Sequence, residues 1–344
     1  MAVDMGINGN YKVRQTSELV ALLLKDQTLS TSTHQVNIFW ATDDYLSLGS
    51  KGYDFFSQIV PEQVMDDNAL VIRPRVMKHE TWQNARSKDM AEVFTPAWVC
   101  NRQNNLVDEK WFGYKNAFNQ ELTDEDGRHT WKASSSPVAF PVGKKWQDYV
   151  KAKRLEMACG ESPYLVSRYD ATTGATIPLC ERIGLLDRKF RIINENTASE
   201  PTTLNKRFWR RKAYQALQSV YGFDWQGDNV YLSRESLLCT FIDYYVARWG
   251  KMPQKDSLMK AAEIISWNIW QMDGTKFVVP KSCHDERNIT QIKGKSFKEQ
   301  MVPCEGCCKN DNNVHNGTYC KIMEWTCAEP LKGKCILFKE LIDK

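Results

Sequence analysis

The sequence lacks a long hydrophobic run. Its longest apolar stretch near the start, LVALLL (19–24), is six residues, whereas a membrane-crossing helix needs about 20 and a secretory signal core about 7–15. No membrane-bound or exported protein is therefore expected, and the expected location is the cytoplasm. An excess of one charge is also lacking. The chain has 46 Lys and Arg against 42 Asp and Glu, a net charge of +4. That is too mild to declare a nucleic-acid partner by itself, and it leaves room for a local basic face. No internal repeat and no low-complexity segment is present. What remains is a globular composition, 42% hydrophobic and 26% charged. Its 344 residues suffice for one large α/β domain with additions, or for two ordinary domains.

The local patterns alternate in period. A helix is expected over 17–24. QVNIFWATDDY (35–45) reads as a strand that ends in an acidic turn, because β-branched and aromatic residues favour strands. NALVIRPRV (68–76) reads as a second strand, and 113–145 as a long loop or inserted subdomain. WQDYVKAKRLEM (146–157) leads into the loop of LEMACGESPYLVSRYD (155–170). Three helices are expected next: 204–222 stopped by Gly222, 229–250 closed by Gly250, and 257–272 running towards a strand end. Such alternation makes the expected fold class α/β, with a doubly wound sheet.

Open α/β sheets bind ligands beyond the carboxyl ends of their strands, where backbone N–H groups and helix starts are available. EMACGESPYL (156–165) has the form of such a loop: Glu156 closes a strand and Gly160 makes the turn. One glycine also suits an ordinary turn, so its neighbours decide. The loop resembles the first motif of DNA adenine-N6 methyltransferases, the modification subunits of restriction systems. That motif is an acidic residue, two residues, Cys-Gly, any residue, Gly, then an aromatic–Leu pair. Here these are Glu156, Cys159, Gly160 and Tyr164-Leu165, with Ser162 in place of the second Gly. AEVFTPAWV upstream is similar to the family's Phe-Thr-Pro motif, VYGFD to its second strand, and NIWQMDG to a later strand end.

The resemblance covers most of the chain and implies a Rossmann-like methyltransferase sheet with helices on both faces. It implies S-adenosylmethionine as cofactor. Glu156 would meet the methionine ammonium, in the loop of Cys159 and Gly160. Phe94, Thr95 and Pro96 would pack on the methionine end, Asp224 would accept from the ribose hydroxyls, and Asp273 from the adenine amino group. Gly160 and Asp224 are 64 residues apart (224 − 160), longer than family practice, so 171–205 reads as an insertion.

The family's catalytic turn, Asp/Asn/Ser-Pro-Pro-aromatic, is missing: the chain contains no Pro-Pro pair. Some members of the superfamily place the catalytic strand before the cofactor motifs. In that order Thr42-Asp43-Asp44-Tyr45 takes the place of the turn, with Thr42 orienting the amino group and Tyr45 stacking on a flipped base. A solvated acidic turn is the plainer reading of the same residues.

Eleven cysteines are present, and six crowd into 304–344. The earlier ones, scattered singly, read as small buried groups. Cys304, Cys307, His315 and Cys320 have the spacing of a structural zinc set. Cys308 is an alternative to Cys307, and Cys283-His284 or Cys327 are further contributors. Free surface thiols are the competing reading. The sequence thus divides into 1–90 with the candidate catalytic strand, 91–280 as the cofactor-binding domain with insertions, and 281–344 as a small zinc appendage. The expected function is site-specific methylation of adenine in double-stranded DNA, with a specificity or restriction subunit as partner and no membrane. The rival is a non-catalytic relative that binds DNA or a restriction-system partner. A weaker third reading applies the same cofactor fold to RNA.

Overall fold

The computed structural model describes residues 13–49, 51–78, 86, 88, 95–291, 297–326 and 332–342. Leu19, Val20, Leu23 and Leu24 fall at helical spacing and form the buried stripe of α1 (Ser17–Leu24). The VNIFWATDDY stretch after it is not a strand. It makes isolated bridges, Lys25 to Asn37 and Phe39 to Gln58. The Phe39 backbone is instead held by one side chain: its N–H donates to Gln271 Oε1 (3.1 Å), and its carbonyl accepts from Gln271 Nε2 (2.8 Å). NALVIRPRV also departs from expectation. It folds into tight 3₁₀ turns at Asp66–Asn68 and Arg75–Met77, and Pro74 has no N–H to give a strand ladder.

Helix α2 (Ala97–Phe112) ends at Gly113 in the left-handed conformation, φ 81°. The polar segment after it forms an antiparallel hairpin, β1 (Asn119–Thr123) with β2 (His129–Ala133). Then come α3 (Trp146–Lys151), β3 (Arg154–Met157), α4 (Leu185–Glu195), α5 (Thr203–Leu217) and β4 (Val220–Asp224). They are succeeded by α6 (Gly227–Trp249), α7 (Lys255–Asn268) and β5 (Ile269–Gln271). The supposed insertion 171–205 therefore contains a whole connecting helix, α4. Gly222 does not stop a helix; it lies inside β4.

Where a doubly wound sheet is expected, the described residues hold one parallel sheet of three strands, in the order β3-β4-β5. Its register sets Glu156 beside Gly222 and Asp224 beside Gln271. The remaining strands form two-stranded antiparallel sheets. They are β6 (Glu286–Gln291) with β7 (Phe297–Val302), and β8 (Lys321–Trp325) with β9 (Gly333–Leu337), with α8 (Glu305–Lys309) between the two hairpins. The fold is mixed α/β. One apolar cluster includes Leu24, Trp40, Phe241, Ile265 and, from the C-terminal hairpin and the turn after it, Ile322, Ile336 and Phe338. No described helix is long and apolar enough to cross a membrane.

Helix α6 is buried almost along its whole length, charged residues included. Each of the buried charges has its partner. Glu235 takes Arg14 in two 2.8 Å bonds, and Asp243 takes Arg168 at 2.9 Å and Arg182 at 2.8 Å. Asp228 takes Arg86 at 2.7 Å and Lys78 at 3.1 Å. Arg234 instead donates to the carbonyls of Leu23, Lys25, Ser266 and Ile269. Removing one member of such a pair leaves a buried charge unpaired. Glu235→Ala should therefore lower unfolding stability by about 3–5 kcal/mol, read as the shift in a urea denaturation curve.

Candidate functional site

A cavity of about 720 Å³ opens beyond the carboxyl ends of β3 and β4, within the size range of small-molecule sites. Its floor is built from the ends of those strands and the turns after them: Glu156 to Gly160 on one side, Asp224 to Gln226 on the other. The loop after β3 turns through three left-handed residues, Ala158, Gly160 and Ser162, with φ of 49°, 52° and 61°. Glycine adopts this conformation freely, and for an L side chain it costs on the order of 1 kcal/mol. Ser162 keeps the backbone a glycine would take, and its hydroxyl bonds that of Ser233. The loop is tied to the next strand by Gly160 N–H to Asp224 Oδ2 (2.9 Å) and Cys159 N–H to Phe223 O (2.9 Å). Cys159 is buried against Gly222, where a Cβ would come within 3.3 Å of its sulfur.

Two carboxyls lie at the floor of this cavity. Glu156 accepts from the amides of Tyr164 (3.3 Å) and Leu165 (3.1 Å). Burial pushes its pKa up to about 8 against the pull of those amides, and Asp224 adds to the rise. Asp224 is also raised by burial, opposed by the amides of Gln226 and Gly160 and by the Asn229 side chain. No basic side chain bonds either acid among the described residues. Such a floor presents two acids to a ligand, with hydrogen-bond acceptors on both.

Thr95 and Tyr164 both lie on the cavity wall. Pro96 caps α2, whose Ala97 N–H donates to Asp170 Oδ2 at 2.8 Å. Phe94 lies outside the described residues. Thr42, Asp43 and Asp44 line the mouth. Asp43 Oδ1 accepts from Phe55 N–H (2.9 Å), and Thr42 Oγ1 accepts from Asp44 N–H (3.2 Å). Asp44 Oδ2 is buried without a hydrogen bond and lies 3.4 Å from Arg86.

Two expected residues are elsewhere. Tyr45 turns into the core, its hydroxyl donating to Asp228 (2.7 Å) and its ring packed on Trp40 (centroids 4.3 Å apart). The buried Asp228 carboxylate needs donors, and Tyr45 supplies one. Asp273 caps its own turn, accepting from Thr275 N–H (2.9 Å) and Oγ1 (2.6 Å), and does not line the cavity. Residues that pattern reading missed line the cavity instead. Phe55 presents a half-buried ring at the mouth, with the Lys281 ammonium 3.8 Å from its centroid, and Trp225 and Asn229 line the wall. The aromatic run YDFF at 53–56 is the one sequence signal that marks Phe55.

Compared with family models, curated proteins and solved structures, the chain matches none.

A second cluster sits beside Lys281. The ligand atoms of Cys283, Cys304, Cys307 and His315 lie within 4.8 Å of one another. Sulfur–sulfur separations include 3.0 Å (Cys283–Cys304) and 3.6 Å (Cys283–Cys307), and His315 Nδ1 lies 3.4–3.7 Å from the three sulfurs. A zinc tetrahedron with Zn–S of about 2.3 Å and Zn–N of about 2.0–2.1 Å has edges of about 3.5–3.8 Å. Four of the five separations lie close to those edges and the Cys283–Cys304 pair is shorter, so the set could hold that ion. Gly306 is required here, since a Cβ would come within 2.6 Å of His315 Nδ1. Cys320 is not part of the set. It is buried, with its thiol donating to Gln271 O (3.4 Å), because its place just before β8 draws it into the core. Cys283 takes the fourth place. Cys308 points to Pro303 O, and Cys327 lies outside the described residues. Purified protein should carry one zinc per chain by elemental analysis. Cys283→Ser should lose it and Cys320→Ala should keep it; the opposite pattern would restore the set with Cys320.

Proposed function

We propose that the cavity binds S-adenosylmethionine and that the protein is a DNA methyltransferase of the adenine-N6, restriction–modification type. The observation that carries the reading is the pair Glu156 and Asp224, set by parallel register on one cavity with the left-handed loop between them. On this reading β3, β4 and β5 are the first three strands of a Rossmann-like sheet. Glu156 holds the ammonium, Asp224 the ribose hydroxyls, and Trp225 covers the adenine ring. When bound, the cofactor supplies an electrophilic methyl group. Asp44, whose buried Oδ2 has no hydrogen bond and stands 3.4 Å from Arg86, is the acceptor that orients the target amino group once it turns to the cavity, and Phe55 offers the flipped base an aromatic face. The partners implied are double-stranded DNA and a specificity or restriction subunit.

A second reading has an observation of its own. Tyr45 is sequestered and no Pro-Pro pair is present, which favours a protein that binds the cofactor and DNA without transferring the methyl group.

Calorimetry should detect S-adenosylmethionine binding, weakened at least about tenfold by Asp224→Ala through lost charged hydrogen bonds. Glu156 is protonated below about pH 8 in the free protein, and a bound cation holds it ionised. Binding should therefore release protons and tighten as pH rises from about 6 towards about 8. Absence of binding overturns both readings. Tritiated methyl transfer to mixed-sequence duplex should occur, survive Tyr45→Phe and fail in Asp44→Asn. Zero incorporation with intact binding selects the second reading.

A further inference from the structure

Helix α5 carries Lys206, Arg207, Arg210, Arg211 and Lys212, and no acidic residue. Its buried stripe, Trp209, Ala213, Tyr214, Ala216 and Leu217, accounts for its packing but not for these cations. Beside that stripe, α5 and α7 border an open groove of about 670 Å³. Arg207, Arg210, Arg211 and Lys260 line it against a single carboxylate, Asp256. Arg210 is steadied by a 2.7 Å bond to Ser257 Oγ. Arg207, Arg211 and Lys260 pair with no carboxylate among the described residues. The Phe208 ring carries Arg211 at 5.2 Å and Lys212 at 5.5 Å, which holds both cations against the helix surface. Like charges crowd here without compensation: burial, then Arg211 and Lys151, lower the Lys212 pKa.

A face of this kind repels itself and is relieved by a polyanion. Arg207 and Arg211 stand one turn apart, about 6 Å along the axis. Three of the four lining cations are arginines, whose planar forks match phosphate oxygens better than an ammonium does. The groove shares no lining residue with the cavity between Glu156 and Asp224. We propose that the α5–α7 groove is a separate site that grips the phosphodiester backbone of duplex DNA by charge, without reading its sequence. It goes beyond the cofactor reading and does not depend on it.

The test is fluorescence anisotropy of the full chain with a labelled mixed-sequence duplex over a salt series. Each phosphate contact contributes about 0.9 to the slope of log affinity against log salt. Arg207→Ala with Arg211→Ala should flatten the slope by about 2 and weaken binding on the order of tenfold at low salt. The same variant should keep the wild-type melting curve and cofactor calorimetry, so the groove and the cavity fail or stand separately. An unchanged slope and affinity in the double variant overturns the proposal. So does polyglutamate that displaces the duplex at equal charge concentration, since that assigns the face to an acidic protein.

Discussion

The hydrogen bond from Gly160 N–H to Asp224 Oδ2 joins the loop after β3 to the end of β4. It fixes the distance between the two elements that floor the cavity. Asp224 O in turn accepts from Met272 N–H at 2.9 Å, which carries the tie to the end of β5. Parallel pairing alone would align three strand ends, but this residue converts them into one rigid rim. Beside it, Gly222 leaves room for Cys159, whose sulfur would stand 3.3 Å from a Cβ on that residue, a tight contact.

The rim rests on a helix that is unusual in its surroundings. A fully buried helix is commonly apolar all round, yet α6 keeps Asp228, Arg234, Glu235 and Asp243 in the interior. The carboxylates draw their partners from distant parts of the chain: Arg14, Lys78 and Arg86 from the N-terminal segment, Arg168 and Arg182 from the stretch after the loop. These pairs add little net stability over apolar packing, but each demands one partner in one geometry. They specify how the N-terminal segment lies across the strand ends and so deliver Thr42, Asp43 and Asp44 to the cavity mouth. Lys281 reaches the same mouth two residues before Cys283 of the Cys3His cluster.

Local pattern carried much of this. Helices α1, α5, α6 and α7 follow from periodicity, and the Gly250 stop from its left-handed φ of 67°. Glu156, Gly160 and Asp224 were legible because each ends a strand or turns a loop. The misreadings share one physical cause, tertiary partners that local pattern does not encode. VNIFW has strand composition but finds a glutamine side chain where a strand needs a ladder. Tyr45 has the chemistry to stack a base, and a buried carboxylate claims it. Cys320 has ligand spacing, but the chain entering β8 turns it inward, and Cys283 replaces it from 21 residues before Cys304. Phe55 and Lys281 reach the mouth through loops without a period of their own.

The central claim is that one ligand spans Glu156 and Asp224. A crystal structure of the protein grown with millimolar S-adenosylhomocysteine tests it most directly. Density is expected in this cavity, with the ribose hydroxyls at Asp224, the amino-acid end towards Glu156 and the adenine beside Trp225. A cavity filled only by solvent, or the nucleoside bound elsewhere, would contradict it.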